Sequence, residues 1–154
     1  MAILIGNKKL GKGCPVMIVA EISANHDGNL QQALDLVQEA KAAGADAIKL
    51  QTYTADTITL NCDKPDFKLP ETSPWASHKT LWDLYNIAHT PWEWHAQIFE
   101  EAKNNELLFF SSPFDHSAVD FLENFDVCAY KVASPEINDI HLLKQIAKTK
   151  KPVI

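Results

Sequence analysis

Short apolar runs of β type alternate with helical patterns from about residue 17 onward, and that alternation restricts the chain to βαβ units around a parallel sheet. The runs are MIVAEIS (17–23), DAIKLQ (46–51), LLFFSS (107–112) and CAYKVAS (128–134). Each ends in polar residues at the same edge: Glu21 and Ser23, Lys49 and Gln51, Ser111 and Ser112, Lys131 and Ser134. Apart from Asp46 at the start of the second run, the rest of each run is largely apolar. A lysine near the end of a buried strand is costly to desolvate, so two of them point to an anionic ligand that compensates their charge.

Between the runs the punctuation is clear. Asp27, Gly28 and Asn29 offer a turn and a helix cap, after which Leu30, Ala33, Leu34, Val37 and Ala40 recur on one helical face until Gly44. The segment from Thr52 to Ser77, with Pro65, Pro70 and Pro74, reads as a long loop of the kind that carries function. Two helices follow it; the second is predicted to open with a capping box of Thr90, Pro91 and Glu93 at N-cap, N1 and N3, and to reach about Asn104. A third helix is predicted over 116–124, and a fourth after Asn138 and Asp139. Pro152, Val153 and Ile154 read as the start of a fifth strand, and the residues before Met17 as a small hairpin under the sheet.

Two α/β architectures accommodate this order. One is the N-terminal half of a (β/α)8 TIM barrel, a fold of about 250 residues, with residues 1–154 as the first part of a longer barrel domain. The other is a complete doubly wound, flavodoxin-like sheet serving as a non-catalytic anion-binding module. The half-barrel is preferred, because a doubly wound sheet gathers its ligand at one switch point whereas here every strand carries polar residues at its C-terminal end. Side chains alternate with period two, so Lys49 shares a face with Gln51, Glu21 with Ser23, and Lys131 with Ala133. If those faces point inward, they converge on one mouth.

Charge narrows the partners. A net charge of −6 leaves no basic face for nucleic acid or an anionic membrane surface. All 14 basic side chains are lysines, which hold phosphate or carboxylate as point charges, so any planar guanidinium clamp must come from elsewhere. Cys14, Cys62 and Cys128 are odd in number and widely spaced, as expected of reduced thiols in a cytoplasmic protein. No run is long enough for a signal peptide or a membrane span.

The segments AEISANHDG (20–28), IKLQTYTADTITLN (48–61), HTPWEWH (89–95), FSSPFD (110–115), AVDFLE (118–123) and AYKVASPEI (129–137) resemble the sialic acid synthase family. SANH, QTYTADTITLN and TPWEWH are most similar to its pseudaminic acid branch, while the Trp75, His78 and Lys79 region and Pro135 depart from that pattern. The resemblance implies condensation of phosphoenolpyruvate with an open-chain 2,4-diacetamido-2,4,6-trideoxyhexose; the alternatives are N-acetylmannosamine or a legionaminic acid precursor. It implies that Lys49, Lys131 and Ser134 bind phosphoenolpyruvate, that Gln51 and Ser112 line the same pocket, and that Glu21 contacts the sugar or assists proton transfer. Asn25 counts with the substrate-binding residues. A divalent cation, Mn2+ or Mg2+, is implied as well, with its ligands on later strands and none in these residues, as is a homodimer. The 154 residues alone are expected to be inactive.

Several neighbouring residues have plainer roles. Asn25 and His26 are expected to order the first βα loop by hydrogen bonding, and Asp27 and Gly28 to serve the turn. His89, Trp92, Trp94 and His95 are expected to pack a helix, since Trp92 and Trp94 cannot share one helical face. Asp115 is expected either to shape the mouth or to cap the third helix.

Overall fold

The computed structural model describes residues 2–154. Strands β1 (Ala2–Ile5) and β2 (Lys8–Gly11) form the expected antiparallel hairpin. Its turn residue Gly6 has φ +55, and a Cβ there would meet Leu108 Cδ2 at 2.5 Å, so the hairpin lies close against the start of β5 (Leu108–Pro113). The Lys8 ammonium bonds the Asp46 carboxylate at 2.6 Å, and the other Asp46 oxygen accepts from the Ile18 N–H at 2.8 Å. The hairpin therefore covers the N-terminal end of the sheet, opposite the polar edge.

Strands β3 (Val19–Glu21), β4 (Ala47–Thr52) and β5 are parallel and lie in the order β3-β4-β5. Beyond β5, Tyr130 bridges in parallel to Ser111 on one side and Val153 on the other. Five successive segments thus sit side by side in chain order, without the reversal that defines a doubly wound sheet. This is the order of a barrel wall, and it rules out the flavodoxin-like arrangement.

Helices α1 (Leu30–Ala42), α4 (His95–Asn104), α5 (His116–Leu122) and α6 (Ile140–Lys148) cover one face of that wall. Alternation along β4 directs Ile48 and Leu50 into the helix-side core, with Ala33, Val37, Ile98, Phe99 and Ala102. Both are fully buried, each contributing roughly 1.5–3 kcal/mol of hydrophobic stabilisation. Asn29 caps α1 through Gln31 and Gln32 N–H groups, Asp115 caps α5 through Ser117 and Ala118, and Asp139 caps α6 through His141 and Leu142. Two short helices, α2 (Ala55–Ile58) and α3 (Leu81–Ala88), flank the Pro-rich segment, so the loop is shorter than its sequence suggests.

Three expectations are corrected. The capping box at Thr90 does not form: Pro91 is extended, a 3-10 turn over Trp92–Trp94 leads into α4 at His95, and the Thr90 hydroxyl is buried without a partner. The capping boxes sit instead at Thr54 with Thr57 and at Thr80 with Asp83. The fourth run is not a strand of 128–134 but a single bridging residue, Tyr130. On its outer side it pairs only with 152–154, where Pro152 brings no N–H, and Pro135 then turns the chain into a 3-10 helix at Ser134–Asn138. The first run keeps ladder geometry only over Val19–Glu21, although the Ile22 N–H still bonds the Lys49 carbonyl at 3.1 Å. No helix among the described residues is long and apolar enough to cross a membrane.

Candidate active site

Parallel register aligns the predicted residues in rows. Glu21, Lys49 and Phe110 are Cα partners across β3, β4 and β5, and two residues further on Gln51 is opposite Ser112. Paired residues in adjacent strands face the same way, so Glu21, Lys49, Gln51 and Ser112 share the face turned away from the helices. Convergence at one edge, expected from spacing, is what the sheet produces.

Within the lower row the Lys49 ammonium is bonded to the Glu21 carboxylate. The lysine side chain is 15% exposed and that of the glutamate 37%, so the pair lies at the boundary of the protein with one partner still wet. The second Glu21 oxygen accepts from the Ser23 N–H at 3.0 Å, and the Ser23 hydroxyl accepts from the Gln51 N–H at 2.5 Å. Glu21 is therefore held on two sides, and Ser23 ties β3 to the end of β4. Ser112 is buried, and its hydroxyl has no protein partner. A buried donor left unpaired costs free energy unless a ligand or water meets it.

The first βα loop follows Ser23 and is conformationally tense. Ala24 and Asp27 have φ of 61° and 47°, a region that costs non-glycine residues, and Gly28 continues at 67°. Asn25 Nδ2 donates to the Ser23 carbonyl at 3.1 Å, while the Asn25 carbonyl accepts from Gln32 Nε2 at 2.9 Å. His26 is buried and its Nδ1 accepts from the Gly28 N–H at 3.2 Å. Burial, with His89 nearby, lowers its pKa and favours the neutral ring. The loop-ordering role expected of Asn25 and His26 is what the structure presents.

Lys131 follows Tyr130, and its N–H bonds the Ser111 carbonyl at 3.1 Å, which places it beside β5 at the same edge. Ser134 opens the next 3-10 turn and is exposed. Glu136, two residues later, has a buried Oε2 without a partner; burial raises its pKa although Lys131 opposes this. The aromatic cluster packs as expected, though from the 3-10 turn: Trp92 lies 4.7 Å from Phe121, and Trp94 meets His26 edge-on at 5.2 Å. Trp92 Nε1 also donates to the Tyr53 carbonyl at 3.1 Å.

One group was missed by sequence reasoning. Thr52 Oγ1 lies 2.9 Å from His95 Nε2 and 2.7 Å from Ser111 Oγ, all three residues being buried on the helix side of the sheet. The available signal was that Thr52 and Ser111 fall on the apolar phase of their strands, where a hydroxyl needs a partner. The sequence pattern around His95 signals only packing. Among the described residues no three His, Cys, Asp or Glu side chains come together in a way that would hold a metal ion. A hollow of about 660 Å3 lies at the other end of the sheet beside Asn7, Phe99, Lys103 and Leu107. The predicted site residues Glu21, Lys49, Gln51 and Ser112 lie instead at the C-terminal edge of the strands.

Fold and rim define a (β/α)8-type domain whose functional edge is the C-terminal end of its parallel strands. The chain belongs to the NeuB family, whose model matches residues 36–154. It is 53% identical over 150 residues to the pseudaminic acid synthase of Campylobacter jejuni subsp. jejuni serotype O:2, covering 97% of this chain and 43% of that protein. It is 44% identical to the pseudaminic acid synthase of Helicobacter pylori, over 91% of this chain and 41% of the relative. The crystal structure of N-acetylneuraminic acid (sialic acid) synthetase from Leptospira borgpetersenii serovar Hardjo-bovis, in complex with citrate, superposes with a TM-score of 0.80 at 29% identity, covering 99% of this chain and 48% of that one. The chain spans less than half the length of these relatives.

Proposed function

We propose that the chain forms the N-terminal half of the barrel of a cytoplasmic pseudaminic acid synthase, which acts as a homodimer and condenses phosphoenolpyruvate with an open-chain 2,4-diacetamido-2,4,6-trideoxyhexose. Support for the half-barrel comes from the sequential strand order and from the exposed apolar residues at both sheet edges, Ile18 and Val19 on one side and Val153 and Ile154 on the other. Neighbouring strands of a closed barrel would cover them. The observation that carries the chemistry is the pair of rows Glu21–Lys49 and Gln51–Ser112 at the C-terminal edge, a fixed charge beside an unpaired buried hydroxyl.

In the reaction the enol carbon C3 of phosphoenolpyruvate forms a bond to the sugar aldehyde carbon, and a proton reaches the aldehyde oxygen. Water adds at C2, and the bond from C2 to the phosphate oxygen breaks, leaving the keto group and inorganic phosphate. Lys49 and Lys131 supply positive charge to the phosphate and carboxylate, in a site where preorganised charge is worth far more than in water. The Ser112 and Ser134 hydroxyls and the Gln51 amide donate to the same anion. Glu21 holds Lys49 before substrate binds and then accepts a sugar hydroxyl or moves a proton. Asn25 shapes the loop over this edge. The divalent cation, Mn2+ or Mg2+, that the family resemblance implies would take its ligands from later strands, since no three His, Cys, Asp or Glu side chains among the described residues come together to hold one.

The test is phosphate release by the whole protein with phosphoenolpyruvate, Mn2+ and each candidate sugar in turn. Release with the diacetamido-trideoxy sugar alone is the expected result. Release with N-acetylmannosamine instead moves the protein to the sialic acid branch, and no release with any sugar overturns the proposal.

A further inference from the structure

The buried hydrogen-bond chain behind the rim has a single consistent direction. His95 Nδ1 lies 3.2 Å from the Pro91 carbonyl oxygen, which only accepts, so Nδ1 carries the proton. Burial pushes the imidazole down to about 4, so at neutral pH it carries no second proton and Nε2 is an acceptor. The Thr52 hydroxyl therefore donates to Nε2, and its oxygen accepts from the Ser111 hydroxyl. His95 is the first residue of α4, Thr52 the last of β4, and Ser111 lies on β5. Three elements far apart in sequence are joined by side chains at the level of the rim.

Thr52 and Ser111 are immediate chain neighbours of Gln51 and Ser112, which face the opposite side of the same strands. Backbone pairing sets which residues are opposite and reaches the end of β4, where Thr52 pairs with Pro113 and the Phe114 N–H bonds the Thr52 carbonyl at 3.3 Å, but it does not tie the strand ends to the helix layer behind them. The Thr52–Ser111 bond adds a side-chain tie at that end, and His95 anchors it to α4, whose entry is held by the Pro91 carbonyl. We propose that the Ser111–Thr52–His95 chain is a positioning device for the rim, holding the β4 and β5 ends at the spacing that lets Gln51 and Ser112 meet the same anionic ligand. None of the three touches substrate; each acts through its neighbour. The inference rests on the anion site proposed above and adds residues from the opposite face of the sheet.

The test uses the whole protein with Thr52→Val, which keeps the shape and removes the hydroxyl, together with Ser111→Ala and the conservative Thr52→Ser. The expected result for Thr52→Val is a rise of about tenfold or more in KM for phosphoenolpyruvate with KM for the sugar unchanged, corresponding to misplaced donors on one ligand only. Ser111→Ala should show the same split more weakly, and Thr52→Ser should restore most of the loss. A merely structural role would instead lower the active fraction, reducing Vmax with both KM values unchanged; that result, or failure of Thr52→Ser to restore phosphoenolpyruvate KM, overturns the proposal. If the unaltered protein releases no phosphate, the functional assignment fails by itself. Calorimetric titration of phosphoenolpyruvate into the same variants then decides this inference separately, equal affinity in Thr52→Val and the unaltered protein overturning it.

Discussion

Replacing Glu21 with Gln separates two views of the Lys49 pair. In the free protein the Glu21 carboxylate neutralises Lys49, a lysine whose side chain is only 15% exposed. An incoming phosphoenolpyruvate must share that ammonium with a carboxylate already bound to it. Because Glu21 is 37% exposed, its field is partly screened, and an effective dielectric of about 40 is appropriate between the interior and water limits. At a separation of roughly 6 Å, repulsion between the carboxylate and one unit of ligand charge is then ~1.4 kcal/mol, about tenfold in affinity. Glu21→Gln removes that repulsion and leaves Lys49 in need of a partner, and both effects favour the ligand. Titration calorimetry of the whole protein without sugar should show phosphoenolpyruvate binding about tenfold more tightly, while turnover with sugar falls by ~10²-fold through loss of the sugar contact or proton transfer proposed for Glu21. Weaker binding by the variant would refute the reasoning, since it would mean that Glu21 aligns Lys49 for the anion instead of competing for it.

Other perturbations reach different parts of the molecule. Lys131→Ala should reduce kcat/KM by about 10²-fold or more through loss of a charged partner for phosphate, and near-normal steady-state rates would remove Lys131 from the site. Thr90→Val should be neutral or stabilise by up to ~1 kcal/mol in a denaturant melt, because the hydroxyl it removes is buried and unpaired; destabilisation beyond ~1 kcal/mol would show that Thr90 has a partner in solution. Burial holds His95 near 4, below its unfolded value, so on acidification the unfolded chain takes up the proton first. Stability should therefore be complete above about pH 6.5 and decline towards pH 4, by ~3 kcal/mol from this residue, and His95→Asn should flatten that slope in melts across the window.

Much of the fold could be read locally. The first helix, with Asn29 as cap and Ala33, Val37 and Ala40 buried, follows from a 3.6-residue period that any isolated segment would express. Asp115 and Asp139 behave likewise, since an N-cap needs only the two or three residues after it. Thr90 obeyed the same local pattern and failed, because packing of Trp92 on Phe121 and of Trp94 on His26 favours a 3-10 entry that carries the Thr90 hydroxyl away from the helix N–H groups. Its neighbour His95 shows the converse error. A histidine among tryptophans resembles packing, and although Nδ1 bonds the nearby Pro91 carbonyl, the partner of Nε2 lies 43 residues away on Thr52 and, through it, on Ser111.

What the sequence determined by itself is the type of most elements, the polar character of each predicted strand end and the family to which the chain belongs, because these depend on period, composition and contiguous motifs. Only the tertiary structure decided that the strands lie in chain order without reversal, that Glu21 faces Lys49 while Gln51 faces Ser112, and that the fourth run contributes one bridging residue. Those outcomes turn on register and on which hydroxyls and carboxylates find partners across the sheet. Such partners are chosen by three-dimensional proximity, and no local pattern encodes them.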